Sequence, residues 1–201
     1  MIRVKPKPEP ATFDKKCRQK GLNWLRTHPI YKRPRDYWSQ FEPDLRRVFS
    51  ERCGYCAMWV MKAQVDHFVP IDRSKKQRND RLAYEWSKYR YGEGVMNQKK
   101  SNCKVLDPFE VRDNWFELLL PSLQLVLTAR VPAAKRKLAE FTLKRLGLRD
   151  GEVVVRCRRE WFRLYQTRQL KLEVLKKMAP QIAAAVERDL ATGIDWRLSR
   201  K

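Results

Sequence analysis

The 201-residue chain holds only two histidines, His28 and His67. An imidazole is the side chain best suited to taking up a proton near neutral pH. Two of them exclude a His-rich metal cage and any zinc finger that needs a His pair. His28 precedes Pro29 in a connecting segment and is assigned no role. His67 stands beside Asp66 in Val65-Asp66-His67-Phe68-Val69-Pro70, at the end of a predicted strand. Cys56 lies ten residues before Asp66 and closes Cys53-Gly54-Tyr55-Cys56. Asn97 lies thirty residues after His67 and opens Asn97-Gln98-Lys99-Lys100. Each piece alone has several readings: an Asp-His pair on a surface strand is commonly a local ion pair, and two buried cysteines are commonly small apolar fillers.

These residues need elements to bring them together. Strands are predicted over 57–61 and 64–69, joined as a hairpin at Lys62-Ala63. Residues 71–82 read as a charged surface loop and 82–91 as a short aromatic-rich helix. Gly92 and Gly94 then break the chain, before a helical turn or two over 95–100. In a regular strand Asp66 and His67 point to opposite faces, so the backbone has to bend there if both are to serve one site. Upstream the sequence predicts an extended Pro-rich arm over 1–10 and a helix over 12–27. An irregular connection follows, marked by Pro29, Pro34, Tyr31, Tyr37 and Trp38. The next helix begins at Pro43 and Asp44, carries Leu45, Val48 and Phe49 on one face, and ends at Cys53-Gly54. Downstream, the alternation of Leu123, Leu125 and Leu127 predicts a strand pair over 115–120 and 123–128. Three helices complete the chain. One covers 132–146, one carries Val154, Cys157, Trp161, Leu164 and Tyr165, and one carries Leu175, Met178, Ile182, Val186 and Leu190 with a kink at Pro180. The expected class is α+β: a central ββα part with N-terminal arm and helices over 1–130, and a helical region over 131–201 packed on the same unit.

Taken in this order and spacing, the Cys-x-x-Cys, the Asp-His with a Pro three residues on, and the Asn-x-x-Lys resemble the HNH endonucleases, the ββα-metal nucleases. The likeness covers roughly residues 1–130. Met1-Ile2-Arg3-Val4-Lys5-Pro6, the run from Leu82 to Arg90 and the run from Val105 to Val111 are similar to a bacterial family of stand-alone HNH proteins. The resemblance implies His67 as general base toward a water, with Asp66 and Asn97 holding one divalent ion, Mg2+ or Mn2+, through oxygen atoms. It also implies a contact of Lys100 with the phosphate, and a setting in anti-phage defence loci of the Zorya or Septu kind beside an ATPase-containing partner. The chain departs from the family in two places. Lys88 stands where HNH enzymes have the middle Asn that fixes the loop carrying the base, with Asn79 a nearby substitute. Glu93 and Met96 stand where zinc-bearing members have a second Cys pair. Cys53 and Cys56 would then need Cys103 as a third ligand for structural zinc, or else serve as buried apolar residues.

Charge narrows the partner. Lys and Arg number 45 against 23 Asp and Glu, a net charge of +22. The excess is spread over nearly the whole chain and is thinnest over 106–150. A surface so charged repels itself and attracts a polyanion; the resemblance implies that this is DNA. Hydrophobic residues at 43%, with seven Trp, exclude a disordered basic tail. Arg73, Lys75, Lys76, Arg78 and Arg81, in the loop after the catalytic strand, and Lys99 are candidate contacts to a nucleic-acid backbone. No apolar run reaches membrane-spanning length, the N-terminal ten residues have no signal-like stretch, and the cysteines are few, so the expected setting is a reducing cytoplasm without membrane contact. The competing function is a nucleic-acid-binding adaptor with a catalytically degenerate HNH fold.

Overall fold

The computed structural model describes residues 1–71 and 79–197. It is a mixed α+β structure with two small antiparallel sheets and seven α-helices among those residues. A π-helical turn, Asp14–Arg18, runs into α1, Gln19–Thr27, and together they fill the predicted 12–27 helix. Helix α2, Glu42–Val48, starts with Pro43 in its first turn, where a missing N–H costs nothing. It is shorter than expected because Ser50 and Glu51 both take positive φ.

The first sheet corrects the sequence-based pairing. Strand β1, Gln64–His67, does not form a hairpin with 57–61 but pairs with β2, Tyr89–Gly92. Asp66 lies opposite Arg90, and His67 opposite Tyr89. The 57–61 run is apolar because it is buried, not because it is a strand. Ala57 has φ +60, and the Trp59 N–H bonds Met178 O at 2.7 Å, so only the single bridge of Arg52 with Trp59 survives. The helix expected over 82–91 is two 3-10 turns, Asp80–Tyr84 and Trp86–Lys88, followed by β2. Tyr89 and Tyr91 are both fully buried, and aromatic residues at period two favour a strand over a helix. Helix α3, Gly94–Lys100, follows β2 at once, so the order strand, strand, helix is kept with a different first partner.

Strands β3, Phe116–Leu119, and β4, Gln124–Leu127, form the expected second pair. Helix α4, Ala133–Arg145, lies within the predicted 132–146. Helix α5, Glu152–Gln166, forms where expected, but its buried face is Val154, Arg158, Phe162 and Tyr165: Trp161 and Leu164 are half-buried, and Cys157, read as part of the apolar stripe, is exposed. Pro180 does more than kink the last helix: it splits it into α6, Leu172–Met178, and α7, Pro180–Ala191, with Ala179 non-helical between them. One continuous cluster of buried apolar residues runs from Met1 to Val186. Arg52 Nη1 donates to Lys177 O at 3.2 Å and Gln181 Nε2 to Met1 O at 2.9 Å, which tie the C-terminal helices to the central part. Among the described residues no helix is long and apolar enough to cross a membrane.

Candidate functional site

Asp66, His67, Asn97 and Lys100 line one open cavity of about 220 Å³, together with Arg33 and Asn102. Asp66 and His67 come from the end of β1, Asn97 and Lys100 from α3 packed behind it. Adjacent strand residues reach one cavity because β1 stops at His67. The chain leaves the strand there, held by the Phe68 N–H bonding Lys88 O at 2.8 Å. Lys88 therefore steadies the end of β1 through its backbone carbonyl. Asn79 is exposed at the start of the following 3-10 turn and does not line the cavity.

The imidazole is fixed on three sides. Its Nε2 lies 3.1 Å from Ala83 O; a carbonyl only accepts, so Nε2 carries the proton and Nδ1 has the free lone pair. Trp38 meets the ring edge-on at 4.6 Å and Tyr89 at 5.2 Å. The ring is 8% exposed, and burial in this aromatic niche pushes its pKa down to about 4, against the opposing pull of Ala83 O and Asp66. His67 is thus neutral at pH 7, the state in which it can accept a proton.

Asp66 is 1% exposed, and both its oxygens are bonded. Oδ1 accepts from Lys100 Nζ at 3.0 Å, and Oδ2 accepts from the Tyr55 hydroxyl. Each oxygen keeps a lone pair beyond these bonds. Lys100 is not placed as a free phosphate contact. It is 0% exposed, and its ammonium bridges Asp66 and His67 O, the latter at 2.9 Å. Asn97 is half-buried and its amide N–H₂ reaches Gln64 Oε1 at 3.4 Å, which leaves its carbonyl oxygen available. Asp66 and Asn97 thus supply two hard oxygen donors to the same cavity, a set that fits a magnesium-like ion completed by water and phosphate oxygens.

The remaining expectations divide. Arg73, Lys75, Lys76 and Arg78 lie outside the described residues. Arg81 is exposed on the first 3-10 turn. Lys99 does not line the cavity, and its Nζ donates at 3.5 Å to Leu146 O at the end of α4. Cys53 and Cys56 are buried together. Burial raises the Cys53 thiol, but the Cys56 thiol and the backbone N–H groups of Cys56, Glu93 and Tyr55 outweigh it and hold Cys53 at about 7. Cys56 is driven well up, first because it donates to Cys53 and then by burial. Among the described residues no three His, Cys, Asp or Glu side chains come together as a metal group.

Several contributors carry no sequence signal of their own: Tyr55 on Asp66, Ala83 O on His67, and Trp38 against the ring. Only the aromatic clustering at 31–38 hints at the last. In comparisons with family models, curated proteins and solved structures, nothing matches this chain.

Proposed function

We propose that the protein is an HNH-type, metal-dependent DNA endonuclease, with His67 as its general base. The observation that carries this reading is the meeting of Asp66, His67 and Asn97 in one open cavity on a strand-strand-helix unit. A nucleic-acid phosphate is drawn to the cavity by the net charge of +22. Nδ1 of neutral His67 takes a proton from a water as the water oxygen bonds phosphorus and the bond to the 3′ oxygen breaks. Arrival of the phosphate's negative charge raises the proton affinity of His67 at the moment the proton must be taken. Nε2 stays on Ala83 O throughout and keeps the ring aimed. A divalent ion held by Asp66 and Asn97 would polarise the phosphate and stabilise the leaving oxygen. One such site cuts one strand, so a monomer nicks. The defence setting and an ATPase-containing partner follow from the likeness of the motifs and are part of the proposal.

The test is conversion of supercoiled plasmid to open circle with Mg2+ or Mn2+. Parent protein nicks, and His67→Ala slows nicking by about 10²–10⁴-fold while keeping its fold. His67→Ala cutting as fast as the parent would overturn the assignment. One observation favours the second reading, a catalytically silent nucleic-acid-binding adaptor: both oxygens of Asp66 are already bonded, by Lys100 and Tyr55. That reading predicts salt-sensitive DNA binding, with no cleavage by the parent in either metal.

A further inference from the structure

Resting on the reading of this same cavity, we propose that Arg33, not Lys100, is the cation that holds the substrate phosphate. Lys100 is buried, and its ammonium already bridges Asp66 and the His67 carbonyl. To reach a phosphate it would have to leave Asp66 uncompensated in a buried site. Arg33 lines the same cavity from the irregular segment before Trp38 and is exposed. It has no carboxylate partner among the described residues. Its guanidinium carbon lies 5.6 Å from the centroid of the Trp38 ring. The same Trp38 ring meets His67 edge-on at 4.6 Å. The guanidinium is thus stacked one ring away from the imidazole that would activate the water.

The segment carrying Arg33 is pinned on both sides. Tyr31 donates its hydroxyl to Asp80 Oδ2 at 2.5 Å. Pro34 is buried, and Arg35 O accepts the Tyr84 hydroxyl at 2.9 Å. The backbone is therefore fixed while the side chain is open to solvent, so little order has to be gained on binding. A guanidinium also offers two parallel N–H groups to two phosphate oxygens, which an ammonium cannot.

The experiment has a cleavage arm and a binding arm, with Arg156→Ala, an exposed arginine on α5, as the control for lost charge. In plasmid nicking, Arg33→Ala is expected to fall about 10²-fold, Arg33→Lys to recover part of the loss, and Arg156→Ala to stay near parent. In the binding arm a short fluorescent duplex is titrated in EDTA over a salt series. Arg33→Ala is expected to flatten the slope of log affinity against log salt by about 0.9, the share of one phosphate contact. Equal melting temperatures for parent, Arg33→Ala and Arg33→Lys show that the fold is kept. If the parent nicks and Arg33→Ala matches it, or Arg156→Ala loses as much, the role of Arg33 is overturned and the nuclease reading stands. If the parent does not nick but Arg33→Ala alone flattens the slope, Arg33 holds phosphate and the nuclease reading falls. An unchanged slope with an inactive parent overturns both.

Discussion

Lys100→Met tests whether the centre of the site is held together electrostatically. Lys100 and Asp66 form an ion pair at 3.0 Å, with side chains 1% and 2% exposed. Methionine fills a similar volume but leaves the Asp66 carboxylate, 1% exposed, with only the Tyr55 hydroxyl. Removing one partner of a buried pair costs about 3–5 kcal/mol. For a chain of this size each kcal/mol lowers the melting temperature by about 2–4 °C, so the expected fall is roughly 6–20 °C. Asp66→Asn alone strands the ammonium instead and is also destabilising. The double variant strands neither charge. It still lacks the bond to His67 O, worth about 1 kcal/mol, but should recover most of the rest. Urea unfolding of the four proteins at neutral pH in EDTA gives the double-mutant cycle directly. The expected coupling exceeds about 2 kcal/mol. Single losses that simply add in the double variant, or a Lys100→Met protein within about 1 kcal/mol of the parent, would refute the reasoning.

Two further outcomes follow from packing. Gly21→Ala in α1 should gain about 1 kcal/mol of helix propensity, yet its Cβ would sit 2.3 Å from the Tyr84 ring. That ring is buried and tied by its hydroxyl to Arg35 O, so overpacking costs about 1–3 kcal/mol and the net effect is a loss of up to about 2 kcal/mol; a melting temperature above the parent's contradicts it. Of the five cysteines, Cys157 is exposed, Cys103 half-buried, and Cys17, Cys53 and Cys56 buried. Thiol labelling of the native protein, read by mass spectrometry, should mark Cys157 first and leave the buried three until denaturant is added. Early labelling of Cys53 or Cys56 would show that the Cys53-Gly54-Tyr55-Cys56 segment opens in the native state.

The sequence by itself determined the pieces. The helical pattern after Pro132 placed α4, α5 and the α6–α7 region, though not which face of α5 is buried, and alternation of Leu123, Leu125 and Leu127 placed the second sheet. Asp66 and His67 were legible at a strand end because their neighbours are apolar and Pro70 follows. These signals are local, carried by a few residues and the period they keep. Tertiary structure decided the rest. The partner of β1 lies beyond the charged segment after it, and closing that distance depends on burying Tyr89 and Tyr91, which no local period reveals. Asn97 and Lys100 are one turn apart on α3, so the sequence put them at one site. Only packing turned the Lys100 ammonium inward onto Asp66, while Arg33, from a segment with no regular period, came to stand open at the cavity. A side chain's chemical type is written in the sequence; whether its charge meets a carboxylate or solvent is set by which surfaces the whole chain buries together.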